Sequence, residues 1–464
     1  MSIKVLLLNP PGKQVYIRDY YCSKVSKSNY LFHPVDLLML SGRLAERFEL
    51  SIVDAMADRL TEHACLALVE AHMPNVIIAM IGAVSLDEDS AFLAKLVKAG
   101  RRIVVSGDVV LDNTAEWLKQ HPFVDAALLD FTSGDIVHYV EGTTTPLPNL
   151  VTRAEQGSVG LERVFNEEFS LPIPRHDLFP SRHYRFPFVK QKAFATVLTD
   201  YGCPYKCSFC IMNTIGYKYR SAGNVIEELR FLKKIGKKDL FFIDQTFGCN
   251  AQRTTELLAA MREEDLRFGW ACFSRADLLT DARLDAMQAS GCHTIIIGVE
   301  TGSDEVLRKY GKGCSLTQIK EAFLKCRSRG IRTVATFILG LPDETEETAL
   351  ATIAFAKELD PDFSSFNIAV PRMSTALRQE AIQDRLIAPD LVTMDQTGSH
   401  IAMPTRHLTK EQLKRLSARA IREFYLRPGY LLRRLAGITT FYEFKEHLSE
   451  GWSVLSKIMG VKGF

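Results

Sequence analysis

"TDYGCPYKCSFC", residues 199–210, places Cys203, Cys207 and Cys210 within eight positions of a 464-residue chain. The other seven cysteines are scattered singly. A structural zinc site is closed by four protein ligands. Here the loop supplies three, and the next candidates along the chain are His183 before it and Cys249 after it. Three thiolates suit a four-iron, four-sulfur cluster in which one iron has no protein ligand. An open metal position is what a catalytic site keeps for its substrate.

Around this loop the sequence alternates strand-like and helix-like segments. "AFATVLTD" leads into the loop, and "DLFFIDQ", "GWACFSR", "HTIIIGVE", "RTVATFILG" and "FSSFNIAV" follow as further strand candidates. Amphipathic helices lie between them, such as 315–330 with Leu316, Ile319, Phe323 and Cys326 on one face. Six such units predict a partial (β/α)6 barrel over residues 191–400, with its active residues at the carboxyl ends of the strands. The fold class is therefore α/β.

The first 140 residues repeat the pattern in smaller units. "KVLLLNPP", "LSIVDA", "NVIIAMIGAV", "RRIVVSGD" and "VDAALLD" are strand candidates, and Phe92, Leu93, Leu96 and Val97 recur at helical spacing. This predicts a doubly wound, Rossmann-like domain that binds its ligand at the strands' carboxyl ends. Residues 141–190, rich in Pro, Thr and Ser, read as a linker. Residues 401–464 read as a helical segment broken at "RPGY", 427–430. No apolar run reaches the ~18 residues that a membrane span requires. Pro10 and Pro11 stop the first apolar run, which reads as a buried strand and not as a signal peptide. Unpaired cysteines then point to a reducing, cytoplasmic compartment.

Net charge is +2, but residues 401–464 carry twelve Lys or Arg against five Glu. That tail suits an anionic surface, and a peripheral membrane contact through residues 405–435 stands beside a plainer alternative. In the alternative, Leu413, Leu416, Ala420 and Phe424 form a helix face packed on the barrel. Nothing in the charge pattern calls for nucleic acid.

"GCPYKCSFC" resembles the signature loop of the radical S-adenosylmethionine (SAM) superfamily. "FFIDQTF" (241–247), "CFSRAD" (272–277), "IGVETGSDEVLRKYGKG" (297–313) and "TFILGLPDETEE" (336–347) extend the resemblance over roughly residues 190–375. It implies that Cys203, Cys207 and Cys210 ligate a 4Fe-4S cluster whose open iron chelates SAM. Reductive cleavage to a 5′-deoxyadenosyl radical would follow, with electrons from a flavodoxin or ferredoxin. It also implies SAM contacts from Phe209 (adenine), Arg275 (carboxylate), and Asp244 and Glu300 (ribose hydroxyls or the amino group). "LLLNPPG" and "HPVDLLMLSGRLAE" resemble the cobalamin-binding domain of one subfamily, and "RHLTKEQLKRLSARAIREFYLRPGYLLRRL" resembles its C-terminal segment. Two departures stand out: "SGDVVLDN" replaces the usual Gly-Gly-x-His run, and "LLDFTSGD" replaces Gly-Glu-Gly-Glu. The opening loop also lacks a cobalt-ligating Asp-x-His-x-x-Gly motif; His33 and His72 do not fit it. A cobalamin tail would then run near Ser85 and Gly107. The function implied is a cobalamin-dependent radical SAM enzyme that methylates an unactivated carbon of a small molecule or lipid. A radical cyclase, oxidase or rearrangement enzyme is the alternative. A non-catalytic metal scaffold is a third reading, against which the three-ligand count argues.

Overall fold

The computed structural model describes residues 2–20, 23–26, 30–143, 146–153, 163–392, 395–397, 401–436 and 451. Two six-stranded sheets organise the chain. The first runs Glu49–Asp54, Lys4–Asn9, Val76–Met80, Arg102–Ser106, Ala126–Leu128, Leu150–Thr152 from edge to edge. Its first five strands are parallel, and strand order reverses between the first and third in sequence. A reversal of this kind creates a crevice at the carboxyl ends. The strands read as unbroken apolar runs because helices cover both faces. Val5, Leu7, Ile78 and Val104 enter one core, while Leu6, Leu8, Ile77 and Val105 enter another with Cys65, Val69 and Phe92. Phe92, Leu93 and Leu96 are buried as expected, but Val97 lies past the end of the helix Leu86–Ala94 and is exposed.

The second sheet is fully parallel and in sequence order: Phe194–Val197, Asp239–Phe242, Gly269–Ser274, Cys292–Glu300, Arg332–Leu339, Phe363–Ile368. Its helices begin on side-chain caps that satisfy otherwise orphaned N–H groups, among them Ser221, Asn250, Thr280 and the capping box Ser315–Gln318. One face of this sheet packs on those helices through Leu240, Phe242, Ile295, Ile297 and Phe337. The other, with Phe194, Phe241, Ile296 and Val334, joins the core of the first sheet. Phe241 stacks on Phe186 at 4.1 Å between ring centres and meets Phe32 edge-on at 5.6 Å. The two sheets therefore share one apolar core. Each fully buried Phe there stabilises the arrangement by about 1.5–3 kcal/mol.

Residues 141–190 are not the linker that their composition suggested. Leu150–Thr152 pairs antiparallel with Ala126–Leu128, and Phe165–Phe169 pairs with Tyr217–Arg220. His176 then docks on the barrel, its Nε2 at 2.7 Å from Glu228, which also pairs with Arg220. Strands this short have no period for a composition reading to detect.

The helical tail is observed as Lys410–Tyr425 and Pro428–Ala436; the expectation of helix beyond 436 falls outside the described residues apart from Gly451. Leu413, Ala420 and Phe424 are fully buried and Leu416 nearly so, within the core of the barrel. That face packs on the barrel and is not free to enter a membrane. Among the described residues no helix is long and apolar enough to cross one.

Candidate active site

The three cysteines sit on the turn between two antiparallel strands, Asp200–Gly202 and Tyr217–Arg220, at the carboxyl end of the first barrel strand. Backbone approach at the neck of this turn is very close. Gly202 has φ +78°, and a Cβ there would stand 2.0 Å from the Gly216 carbonyl oxygen. The Cys203 N–H donates to that same carbonyl at 3.1 Å. Further along, Cys210 N–H donates to the Cys207 carbonyl at 3.0 Å, and Ser208 N–H to the Tyr310 carbonyl at 3.0 Å. The loop is thus held by its own turn and by the segment that follows the fourth barrel strand.

Asp244 stands just past the carboxyl end of the second barrel strand, Asp239–Phe242. It is fully buried, and its carboxylate accepts from Thr199 N–H (2.6 Å), Asp200 N–H (2.9 Å) and the Thr199 hydroxyl (2.5 Å). Arg253 closes the group by pairing with Asp200. Burial, relieved in part by Arg253, pushes the Asp200 carboxyl up to about 8. A carboxylate with those three donors anchors the neck of the loop.

Two cations flank Cys207. Arg275 Nη1 lies 3.6 Å from its sulfur, and the guanidinium stacks on the Tyr205 ring at 3.8 Å. The fork expected for a SAM carboxylate is taken: Nε and Nη2 grip Asp277 at 3.0 and 3.1 Å. Lys312, which the sequence reading passed over, is the second cation. It is buried, and its Nζ donates to Glu300 at 2.6 Å. Glu300 itself sits at φ +71°, a strained conformation for a side-chain-bearing residue. Gly298 makes room for the pair, since a Cβ there would meet Glu300 Oε1 at 2.4 Å and Lys312 Nζ at 2.7 Å. Burial opposes the Lys312 charge, but Glu300 and Cys207 more than offset this and raise its pKa. Phe209 packs against the apolar group of Tyr310, Leu341 and Leu377, partly exposed.

A fourth thiol stands close by. Cys249 is in hydrogen-bond contact with Cys203, and this contact is the main cause that brings the Cys203 thiol down to about 6. Cys249 Sγ also donates to the Thr246 carbonyl at 3.1 Å, while Thr246 Oγ1 lies 3.7 Å from Cys203. It is the next cysteine along the chain after the loop, and it reaches the mouth of the barrel in the segment that follows the second barrel strand, Asp239–Phe242. Cys207, by contrast, is raised by burial, with Lys312 and Arg275 working against that.

The donor set fits a 4Fe-4S cluster: three thiols on one loop, bordered by two cations. Among the described residues no three His, Cys, Asp or Glu side chains gather as a single metal ion would need. Cobalamin is a separate matter. Ser85 is buried, its hydroxyl bound to Asp89 (2.7 Å) and to Arg18 (3.2 Å). Gly107 is pressed on the Ile81 carbonyl, where a Cβ would come within 1.8 Å. The departures from the subfamily pattern have a use: Asp108 and Asp130 pair across the sheets with Arg372 and Lys218. What the first sheet does present is a cleft lined by Ala83, Asp108 and Val109 on its side and by Ile211, Arg372 and Met373 on the barrel's. The cleft is narrow, about 10 Å³, and two of its six lining residues are the charged pair Asp108–Arg372.

The model of the Radical SAM superfamily matches residues 197–356. The chain belongs to this superfamily, and the protein is a radical SAM enzyme. A protein of Pyrococcus horikoshii described as an uncharacterized methyltransferase is 30% identical over 448 residues, covering 93% of this chain and 94% of the relative. Two solved structures share the fold. TsrM of Kitasatospora setae, a radical S-adenosylmethionine methyltransferase seen with cobalamin and a 4Fe-4S cluster, aligns with 99% of this chain and 100% of its own at TM-score 0.70 and 18% identity. OxsB, a cobalamin-dependent S-adenosylmethionine radical enzyme seen with aqua-cobalamin and SAM, covers 99% of this chain and 72% of its own at TM-score 0.72 and 16% identity.

Proposed function

We propose that the protein is a cobalamin-dependent radical SAM enzyme that methylates an unactivated carbon of a small-molecule or lipid substrate. The observation that carries the reading is the cleft where Ala83, Asp108 and Val109 face Ile211, the residue after cluster cysteine Cys210. It sets the carboxyl ends of the doubly wound sheet directly against the iron–sulfur loop. The end-to-end likeness to a protein described as a methyltransferase supports the same reading.

Cys203, Cys207 and Cys210 are the ligands of the cluster. With SAM on its open iron and an electron from a flavodoxin or ferredoxin, a 4Fe-4S cluster supplies the 5′-deoxyadenosyl radical. The chain's own work is binding and orientation. The Glu300–Lys312 pair holds the ribose and neighbouring charge of SAM, Arg275 presents Nη1 beside Cys207, and Phe209 packs against adenine. Burial of these groups excludes water, which would quench a radical and weaken each charge interaction. Cobalamin would be held between the sheets without a protein imidazole, since the opening loop carries no Asp-x-His-x-x-Gly motif.

The test is anaerobic reconstitution with iron, sulfide, cobalamin, SAM and a reductant, in the presence of extract from the protein's own cells. Formation of both 5′-deoxyadenosine and S-adenosylhomocysteine is expected. 5′-Deoxyadenosine alone would replace methyl transfer with a ring-forming, oxidising or rearranging reaction. Neither product would overturn the reading.

A further inference from the structure

We propose that Arg275 sets the reduction potential of the cluster by donating from its guanidinium to the sulfur of the ligand Cys207. The proposal deepens the functional reading above and rests on it. Arg275 follows directly on the third barrel strand, Gly269–Ser274, and is only 4% exposed. Its Nη1 lies 3.6 Å from Cys207 Sγ, within reach of an N–H···S hydrogen bond. Of the two cations that flank this thiol, Lys312 is committed to Glu300 at 2.6 Å. Cys203 takes its hydrogen bonds from neutral groups, the Cys249 thiol and the Thr246 hydroxyl among them.

The guanidinium is held from three directions. Nε and Nη2 grip the two oxygens of Asp277 at 3.0 and 3.1 Å, and Nη2 also donates to the Lys312 carbonyl. Its planar face lies on the Tyr205 ring at 3.8 Å. A paired fork and a stacked face fix a guanidinium in a way that an ammonium on a flexible stem does not match. Asp277 meets the edge formed by Nε and Nη2, so its negative charge lies across the guanidinium from Nη1. The end that faces the sulfur is the positive one.

A ligand sulfur that accepts a hydrogen bond from a cation passes less negative charge to iron. Reduction adds one electron to the cluster, and the same fixed cation stabilises the added charge. Hydrogen bonds to the sulfurs and net charge are among the levers that set iron–sulfur potentials. Burial strengthens the effect, because a low-dielectric surrounding screens it less than water does. Arg275 therefore raises the potential and eases electron transfer from a flavodoxin or ferredoxin. It acts through Cys207, which makes it a positioning residue for the step that accepts the electron.

The experiment is a potentiometric titration of the full-length protein, reconstituted with its cluster, followed by electron paramagnetic resonance and run without SAM. Wild type, Arg275→Gln and Arg275→Lys are compared. Arg275→Gln is expected to lower the midpoint so that the reduction equilibrium falls at least tenfold, which for one electron is about 59 mV. Arg275→Lys keeps the charge but loses the fork and the stacked face, and is expected to fall by less. A midpoint in Arg275→Gln equal to that of the wild type would overturn the proposal. Should that variant hold no cluster, Arg275→Lys decides: a several-fold fall supports the proposal, and a midpoint equal to the wild type overturns it. Iron content and 5′-deoxyadenosine formation by the wild type are read in parallel. A wild type that holds no cluster or cleaves no SAM would sink the functional reading and the proposal with it. A loaded, SAM-cleaving wild type whose midpoint the substitutions leave unmoved would sink the tuning role alone.

Discussion

Lys312→Met should destabilise the protein by about 3–5 kcal/mol, the usual cost of leaving one partner of a buried ion pair uncompensated. Lys312 Nζ and Glu300 Oε1 are 2.6 Å apart, with 7% and 11% of their side chains exposed. At an effective dielectric of about 20 their attraction is on the order of 6 kcal/mol, against which the desolvation of both charges must be set. Without Lys312, the Glu300 carboxylate is left buried without its ion-pair partner. The double variant Glu300→Gln/Lys312→Met removes both charges and should recover all but about 1–2 kcal/mol, giving a coupling of about 3 kcal/mol in the cycle. Urea denaturation of the anaerobic, cluster-loaded protein at pH 6 and pH 8 provides the measurement. SAM affinity should stay low in the double variant, which separates a ligand role from mere support. Additive losses, with no recovery in the double variant, would refute the reasoning.

Cys207→Ala should lose the cluster's absorption and its iron, because it removes one of the three loop thiols and the extra thiol, Cys249, lies against Cys203 instead. Cys203→Ala should retain part of its iron through Cys249 and lose it in Cys203→Ala/Cys249→Ala; equal iron in those two variants would return Cys249 to a packing role. Gly202→Ala should lower cluster content several-fold, since φ +78° and the 2.0 Å approach to Gly216 force the neck of the loop apart; full occupancy would contradict that geometry. Buried Asp36 accepts from Ser106 at 2.6 Å and is pushed up to about 7 by burial. The native state therefore binds its proton more tightly between about pH 4 and 7, and stability falls as pH rises through that window by roughly 4 kcal/mol. Asp36→Asn should flatten this slope, and an unchanged pH profile of urea midpoints would rule the assignment out.

The two sheets were legible because their strands are buried on both faces and write continuous apolar runs. "KVLLLN" and "HTIIIGVE" can hardly be anything else at that length. The cluster cysteines were legible because all three lie on one turn. Residues brought together by topology were not: Lys312 reaches Glu300 only once the segment after the fourth barrel strand folds back, and Cys249 reaches Cys203 from a neighbouring strand end. The partners of polar side chains were not legible either: Asp244 accepts from Thr199 and Ser85 donates to Asp89. Sequence specifies which atoms are present and leaves open which lone pairs remain available. The segment 141–190 escaped because strands of three to five residues show no periodicity.

The central claim is a cluster held by three thiolates with one iron left for SAM. Electron paramagnetic resonance of the reduced, reconstituted protein tests it most directly, recorded before and after SAM is added. A SAM-dependent change in the cluster's g-values, lost in Cys207→Ala with the signal itself, is the predicted result. A cluster signal that SAM leaves unaltered, in protein holding four irons per chain, would contradict the account.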